Sequence, residues 1–307
     1  MSILGLLQAV AMVTVVFSVF TAFNLPQHFI ELFAHFRLQY FIVSVLLFLV
    51  FALQQRYAYA GALMLTVLLN GFLLVDWYLP ARTGAGGPDE LSIFHANVLS
   101  SNKQHQRLID LVAAEDPDMV FLQEINDDWL IGLRPMLRDY PFVYTASRLG
   151  NFGIAVYSRV PFSSVSHVES PPLEYPTIIA TVSIGNRDLT LISSHPTIPL
   201  GKTLYSARNQ QLDSLGDLLQ ATEKPVVLLG DFNATLWDPH LKKLTHSAGL
   251  ANARKGFGIL PTWPTYLPVA MIPIDHVLVS EGISVTSLKT GKNIGSDHLP
   301  LIVTVSL

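Results

Sequence analysis

The spacing of apolar and polar residues divides the chain into two unlike parts. Up to about residue 80, long apolar runs with almost no charge predict three helices, over residues 3–23, 38–55 and 57–79. Each run is close to the roughly 20 residues that a helix needs to cross a bilayer. Residues 81–90 are rich in Gly and Pro, which is typical of a linker. We therefore predict a membrane domain with three transmembrane helices over residues 1–80.

The apolar runs have two other interpretations, a signal peptide and a buried helical hairpin. A secretory signal peptide does not fit the first run, because it lacks a positive n-region and a clear cleavage site and two further runs follow it. A buried helical hairpin is the alternative for the second and third runs. Between the first two runs, the mixed pattern of residues 25–37 predicts an interfacial helix, with His28 and His35 as surface residues at headgroup level.

From residue 91 onward, short β-rich runs alternate with helical patterns. A continuous apolar run such as residues 226–229 indicates a strand that is covered on both faces. Such strands between amphipathic helices favour a layered α+β or α/β domain over residues 91–307, with sheets inside and helices outside. The predicted strands are 91–98, 118–124, 152–157, 178–184, 189–194, 226–229, 275–279 and 301–305, and the predicted helices are 103–115, 129–137, 204–220 and 240–248.

Composition narrows the classes of function. The 307 residues are 50% hydrophobic and only 14% charged. After residue 82 the chain carries 16 Lys and Arg against 21 Asp and Glu, a net charge of −5. This is not the basic surface expected of a nucleic-acid binder. The chain has no cysteine, so disulfides and Cys-ligated metals are excluded.

Polar side chains stand at the ends of the predicted strands. Singly, each is as readily explained as a cap or a turn residue. Together they predict one cleft, in which oxygen ligands suit Mg²⁺, a His–carboxylate pair can activate water, and imidazole and amide donors can neutralise a phosphate. The set consists of Asn97, Glu124, His195, Asp231, Asn233, Asp275, Asp297 and His298.

The short polar motifs at these strand ends resemble those of the endonuclease/exonuclease/phosphatase superfamily. In order along the chain, the motifs are Asn97, Gln123-Glu124, Ser194-His195, Gly230-Asp-Phe-Asn233, Ile274-Asp-His276 and Gly295-Ser-Asp-His298. The resemblance covers residues 91–307. It implies an α+β, four-layer α/β/β/α sandwich of the deoxyribonuclease I type, here preceded by three transmembrane helices. It also implies phosphoester hydrolysis that depends on Mg²⁺, with Mn²⁺ as an alternative ion.

The same resemblance implies a role for each residue. Glu124 is the main metal ligand, with Asn97 and Asp297 near the ion, and Asp231 orients or activates the attacking water. His195 and Asn233 hold the phosphate, and Asp275 pairs with His298. Asn151 is a candidate substrate contact, although a turn explains it equally well. Some members pair the first histidine with a glutamate, for which Glu169 and Glu174 are the candidates here.

The class of substrate is predicted from the short linker that would connect the catalytic domain to the membrane helices. A short linker to the bilayer would keep the site near lipid phosphates at high effective concentration. The layout of three predicted spans followed by this domain also resembles VanJ-type, teicoplanin-resistance-like membrane proteins. The GDFNAT motif (residues 230–235) and the PTWP motif (residues 261–264) contribute to the resemblance. That resemblance implies a multi-pass protein of a bacterial-type cytoplasmic membrane, with an external catalytic domain acting on polyprenyl pyrophosphate. The charge pattern alone leaves the orientation open, because Arg37, Arg56 and Arg82 give a near tie.

Two other functions stay open. A membrane-tethered endonuclease or phosphodiesterase, acting on nucleic acid or a phospholipid headgroup, would need a basic patch, for which Lys242, Lys243, Arg254 and Lys255 are candidates, although a solvated face is the simpler interpretation. A non-catalytic binding module is disfavoured, because Glu124, Asp231 and His298 are all present.

Overall fold

The computed structural model describes residues 2–23, 28–79, 89–148, 150–223 and 225–307. Its N-terminal part contains the helices α1 (Ile3–Phe20), α2 (His28–Ala34), α3 (Arg37–Leu53) and α4 (Tyr57–Val75). The predicted linker, residues 81–90, lies outside the described residues as far as residue 88.

Helices α1, α3 and α4 pack into a bundle that is held by apolar contacts and by hydrogen bonds between helices. Thr66 Oγ1 on α4 donates to Ser44 Oγ on α3 over 2.9 Å. Arg37 Nη1, at the start of α3, donates to the Ser18 carbonyl of α1 over 2.9 Å. Hydrogen bonds of this kind stabilise helix pairs where water is excluded.

By length and composition, two of the three predicted spans correspond to helices that could cross a membrane. Helices α1 and α4 are long and apolar enough to cross a membrane, whereas α3, with 17 residues, is shorter. Helix α3 ends at Leu53 rather than at residue 55, because the chain turns tightly into α4 and Gln55 takes a left-handed φ of 58°.

The predicted interfacial helix over residues 25–37 corresponds to the short helix α2. The prediction that His35 lies at the surface is wrong. His35 is buried, and its Nδ1 lies 2.8 Å from Thr235 Oγ1, 200 residues further along the chain. The side chain of His28 lies outside the described part of the structure.

The rest of the chain forms two six-stranded sheets with helices outside them. The elements are β1 (Glu90–Asn97), α5 (His105–Glu115), β2 (Met119–Gln123), α6 (Asp127–Gly132), β3 (Phe142–Ala146), β4 (Ile154–Ser158), β5 (Phe162–Ser170), β6 (Tyr175–Ile184), β7 (Arg187–Ser194), α7 (Gly201–Ala221), β8 (Val226–Asp231), α8 (Pro239–Ala248), β9 (Leu250–Asn252), β10 (Asp275–Ser280), β11 (Ser284–Thr290) and β12 (Leu301–Ser306). In one sheet the strand order is β11-β12-β1-β2-β4-β3, and in the other it is β5-β6-β7-β8-β10-β9.

Strand β8 shows why the sheets form two inner layers. Its side chains alternate between the two faces of the sheet. Val227 and Leu229 enter the core between the sheets. Val226 and Leu228 pack instead against the apolar sides of α7 and α8. A third core, built from β1, β2, α5 and α6, covers the outer face of the other sheet. The predicted α/β/β/α sandwich is confirmed.

The four strands that the sequence pattern missed, β3, β5, β9 and β11, are the edge strands of the two sheets. They are largely exposed or half-buried, unlike the central strands. An edge strand needs little apolar sequence because one side faces solvent. The helix predicted at residues 129–137 is also divided, into α6 and a 3₁₀ turn at Arg134–Arg138 that contains Pro135.

Candidate active site

The polar strand ends meet at one edge of the sandwich. Strands β1 and β2 run parallel and place Asn97 beside Gln123, while β8 and β10 run antiparallel and place Asp231 beside Asp275. A cavity of about 320 Å³ opens there. Seven of the nine predicted site residues line it: Glu124, Asn151, His195, Asp231, Asn233, Asp297 and His298. Asn97 and Asp275 are buried and contact these residues.

Asn97 links two carboxylates from different sheets. Its Nδ2 donates to Glu124 Oε1 over 3.0 Å and to Asp231 Oδ2 over 3.2 Å, while its Oδ1 accepts from Leu99 N. In this orientation, the amide holds the carboxylates together and its oxygen faces the backbone. Glu124 itself has a left-handed φ of 63°, and its Oε2 accepts from Ser100 N. The strained backbone turns this carboxylate out of β2 into the site.

His298 lies between two carboxylates. Its Nδ1 donates to Asp275 Oδ2 over 2.8 Å, and its Nε2 lies 3.6 Å from Asp231 Oδ2. Burial would lower the pKa of His298, but the charges of Asp275 and Asp231 outweigh it and raise this pKa to about 10. An imidazolium in this position can stabilise negative charge on a phosphate. Burial would raise the pKa of Asp275, but His298 and then His95 outweigh burial and hold this pKa well below the ordinary range.

His195 approaches the same carboxylate from the other side, with its Nε2 3.5 Å from Asp231 Oδ2. Burial would lower its pKa, but Asp231 and then Glu124 outweigh burial and raise it. Its Nδ1 is buried without a hydrogen-bond partner among the described residues. Neither of the two glutamates suggested by the sequence is a partner for this Nδ1. Glu169 pairs with Arg148, and Glu174 is exposed.

A tight turn after β8 positions Asn233. Its backbone N donates to Asp231 Oδ1 over 2.9 Å, and its side-chain Nδ2 donates to the Pro196 carbonyl over 3.0 Å. The turn depends on Gly230, because a Cβ there would lie 2.0 Å from the Ser194 carbonyl oxygen. The absence of a side chain therefore lets the ends of β7 and β8 approach closely.

Gln123 joins the two sheets directly beneath the site, a role that sequence reasoning missed. Its Nε2 donates to the Ser194 carbonyl over 2.9 Å, and its Oε1 accepts from Asp231 N over 2.9 Å. The side chain is fully buried. One amide thus fixes the strand end of β2 against the strand ends of β7 and β8.

His95 is the second functional residue that sequence reasoning missed. It is buried, and its Nε2 lies 3.2 Å from Asp275 Oδ1. A signal was present in the sequence, because His95 stands two residues before Asn97 in a strand and therefore on the same face. A histidine buried in an otherwise apolar strand needs a hydrogen-bond partner for its ring nitrogens.

Two donor sets can be considered for a divalent metal. Asp231, Asp275 and His298 have ligand atoms within 4.8 Å of one another. The short hydrogen bond between Asp275 and His298 already occupies two of these groups. Glu124 and Asp297 offer carboxylate oxygens to the same cavity, where Asp297 Oδ2 also accepts from Trp263 Nε1 over 3.0 Å. Hard oxygen donors of this type fit Mg²⁺ better than imidazole does.

The basic patch suggested by the sequence is not formed. Arg254 is fully buried, and its guanidinium donates to the Ile259 and Leu260 carbonyls. Lys243 pairs with Asp213, and Lys255 pairs with Asp76. Lys242, the fourth candidate, is exposed. With Arg254 buried and the other two lysines paired with acids, the four residues do not form a continuous basic surface.

Comparison with known proteins agrees with this geometry. Residues 92–298 match the Endonuclease/Exonuclease/phosphatase family. The search of curated proteins gives no match. Among solved structures, the chain is similar to D. rerio TDP2 complexed with single strand DNA product, at 21% identity and a TM-score of 0.61, over 71% of this chain and 99% of that one.

Two further structures share the fold. The 3' phosphatase NExo from Neisseria, bound to a product DNA hairpin, has 19% identity and a TM-score of 0.59 over 69% of this chain and 98% of its own. The human Nocturnin catalytic domain with bound sulfate has 18% identity and a TM-score of 0.57 over 71% and 93%. At these identities the likeness concerns the fold alone. By its family match, the chain belongs to the endonuclease/exonuclease/phosphatase family and is a metal-dependent phosphoester hydrolase.

Proposed function

We propose that the protein is a membrane-anchored, Mg²⁺-dependent phosphohydrolase that acts on a lipid phosphate, such as polyprenyl pyrophosphate. The observation that carries this proposal is the outward apolar surface of α1 and α4. Only 17% of the apolar window of α1 and 28% of that of α4 is buried inside the molecule. A core helix of a water-soluble protein would be mostly buried, so these surfaces call for a hydrocarbon environment.

The placement of the helices beside the site supports a lipid substrate. The α4 end of the bundle packs against the hydrolase part through Leu74, Trp77, Leu236, Trp237 and Ile259. The Trp77 carbonyl accepts from Gly256 N and Gly258 N, and Gln39 Nε2 donates to the Met271 carbonyl over 2.8 Å. A bilayer around α1 and α4 would therefore lie next to the sandwich. Phosphate groups at its surface would reach the site at high effective concentration.

For the chemistry, we propose the roles that the family resemblance implies. Glu124 and Asp297, with Asn97 beside them, would hold Mg²⁺, which supplies charge neutralisation at the phosphate oxygens. Asp231 would orient the attacking water. His195 and Asn233 would bind the phosphate, with Asn151 at the exposed rim, and His298, held by Asp275, would stabilise the developing charge.

We also propose that the hydrolase part faces the outside of the cytoplasmic membrane. The absence of native cysteine makes the test direct, because single cysteines can be introduced at exposed positions. Glu281→Cys in the hydrolase part should react with a membrane-impermeant maleimide in intact cells. Gln54→Cys, in the turn between α3 and α4, should react only after the membrane is opened. The reverse pattern would place the site on the cytoplasmic side.

A nucleic-acid substrate is the second candidate. TDP2 and NExo, which share the fold, have been captured with DNA products, which favours it. The charge distribution of this chain opposes it, since the net charge after residue 82 is −5 and three of the four candidate basic residues, Lys243, Arg254 and Lys255, are buried or paired with an acid.

The deciding experiment uses full-length protein in detergent with undecaprenyl pyrophosphate, sphingomyelin and a DNA duplex in parallel, with Mg²⁺ or with EDTA. Asp231→Ala tests the site, and Asp213→Ala, an exposed acid on α7, is the matched control. We expect Mg²⁺-dependent phosphate release from the pyrophosphate lipid, lost in Asp231→Ala and kept in Asp213→Ala. Cleavage of DNA without lipid turnover would overturn the lipid substrate and favour the nuclease.

A further inference from the structure

Helix α2, which precedes the hydrolase part by more than 50 residues, lines the active-site cavity. Leu32 and His35 share that cavity with Glu124, His195, Asp231 and His298. The family match begins only at residue 92, so these two residues lie outside the part of the chain that matches the hydrolase family. The active site is therefore a composite of two remote segments.

Buried charges hold α2 in this position. Arg208 on α7 is fully buried, and its guanidinium pairs with Glu31 on α2 and with Asp238, which lies 2.7 Å from its Nη1. The same Nη1 donates to the Asn233 carbonyl over 3.2 Å. Glu31 and Asp238 are themselves almost fully buried. This cluster ties α2 to the turn that positions Asn233, so the place of Leu32 relative to the phosphate-binding groups is fixed.

The cavity has apolar as well as polar lining residues. Leu32 lines it together with the apolar side chains of Ile198, Leu200, Ile272 and Ile274. Ile198 and Leu200 are 40% and 63% exposed to solvent. An apolar ligand group that covered these side chains would remove apolar surface from water, which is favourable. A substrate whose phosphate contacts His195 and Asn233 would place its next atoms against this wall.

We infer that Leu32 is a specificity-determining residue, which receives the apolar part of the phosphoester directly beside the reacting phosphate. This inference rests on the proposed function, because it assigns the apolar portion of that substrate to a place in the site. Leu32 belongs to a helix that the hydrolase fold does not supply, so the N-terminal segment selects the substrate as well as connecting the hydrolase to α1.

The test measures binding, so that it does not depend on turnover. Full-length protein in detergent is titrated calorimetrically, in the presence of Mg²⁺, with inorganic phosphate and with ethyl, butyl and hexyl phosphate. For the wild type, we expect affinity to rise with chain length, by at most about fourfold for each methylene that enters the apolar wall. Leu32→Asn should weaken hexyl phosphate binding by at least about tenfold and leave inorganic phosphate within about twofold, because it removes the apolar contact without adding a charge that would repel phosphate.

Three variants complete the design. Leu32→Met keeps an apolar side chain of similar volume and should behave as the wild type. Ile131→Asn, which introduces the same polar side chain at a 60% exposed position on α6 away from the cavity, should also behave as the wild type. Leu32→Gln repeats the uncharged polar substitution with a longer side chain, in case Leu32→Asn does not fold.

The outcomes separate this inference from the proposed function. Equal loss of hexyl phosphate and inorganic phosphate binding in Leu32→Asn and Leu32→Gln would overturn it, because Leu32 would then only support the site. Equal affinity of the wild type for hexyl phosphate and inorganic phosphate would overturn it as well. A chain-length preference that depends on Leu32, found together with a lack of lipid hydrolysis, would uphold the inference and reject the proposed function.

Discussion

His95 and His298 hold the same carboxylate, that of Asp275, one on each oxygen. His95 Nε2 lies 3.2 Å from Oδ1, and His298 Nδ1 lies 2.8 Å from Oδ2. All three side chains are buried. His95 Nδ1 has no partner among the described residues, so the proton belongs on Nε2, from which it can be donated to Asp275. His95 therefore fixes the orientation of Asp275 without lining the cavity.

We expect His95→Ala to lower kcat by about tenfold and to change KM little, because a hydrogen bond to a charged group is lost behind the substrate site. His95→Gln can still donate to Asp275 and should recover most of kcat. The measurement is steady-state kinetics on whichever substrate the parallel assay with lipid and DNA shows to be cleaved. A variant that loses stability but keeps kcat would show that His95 serves only the fold.

Removal of the Gln123 amide should destabilise the protein and disturb the site. In Gln123→Ala, the Ser194 carbonyl and Asp231 N both lose a buried partner, at a cost of about 2–4 kcal/mol in the free energy of unfolding. Gln106→Ala, an exposed glutamine on α5, should change it by less than about 0.5 kcal/mol. Chemical denaturation compares the two. Similar stabilities would contradict the bridging role.

Gly230 should not accept a side chain. Gly230→Ala would place a Cβ 2.0 Å from the Ser194 carbonyl oxygen, so the ends of β7 and β8 would have to separate. We expect a loss of at least about 3 kcal/mol in stability, together with loss of activity. Gly216→Ala on α7 is the control, since its Cβ would meet Leu244 Cδ1 at an ordinary 3.5 Å. That change should be neutral or stabilising.

Metal titration distinguishes the two donor sets. If Glu124 holds the ion, Glu124→Gln should raise the half-saturating Mg²⁺ concentration by about tenfold or more. His298→Asn should lower kcat by about a hundredfold or more while leaving the Mg²⁺ requirement near that of the wild type. The readout is activity against Mg²⁺ concentration after treatment with EDTA. A shift in His298→Asn alone would assign the ion to the Asp231, Asp275 and His298 set.

The cluster that holds α2 should make stability depend on pH. Burial raises the pKa of Glu31 from 4.5 to about 7, with Asp238 adding to the effect and with Arg208 and Tyr205 opposing it. An acid whose pKa is higher in the folded state stabilises the fold fully below its unfolded pKa, and this contribution is lost as pH rises through the folded pKa. The window here runs from about pH 4.5 to 7.

Three other groups around Glu31 titrate outside this window. Burial lowers the pKa of His35 to about 4. Burial would raise the pKa of Asp238, but the charge of Arg208 outweighs it and brings this pKa to about 2. Burial raises the pKa of Tyr205 to about 12. Burial also lowers the pKa of His240, whose ring packs against that of Tyr205. The difference in stability between the wild type and a Glu31 variant therefore reports on Glu31, because His240 is common to both proteins.

The measurement is thermal unfolding of the wild type and Glu31→Gln from pH 5 to 8. Glutamine mimics the neutral acid, so the two proteins should be similar in stability at pH 5. At pH 8 the variant should be the more stable one, by on the order of 1–3 kcal/mol. Glu281→Gln, at an exposed position, should follow the wild type throughout. Parallel curves for Glu31→Gln and the wild type would contradict the assignment.

The sequence by itself determined the inner strands and the residues at their ends. A buried strand such as β8 is a continuous apolar run, and the polar residues that end it, Asp231 and Asn233, stand next to that run. Because both signals are local, eight strands and the ordered set from Asn97 to His298 could be predicted. The family motifs lie on these same strand ends, which is why the class of enzyme followed from them.

Only the tertiary structure decided which remote groups meet. The edge strand β5 is mostly exposed and gives no apolar signal. The partner of Asp275 on its second oxygen is His95, 180 residues away. Glu31 meets Arg208 across 177 residues, and this contact brings α2 to the active site. Such contacts depend on the packing of the two sheets and the helical bundle, and no pattern within a local stretch of sequence specifies them.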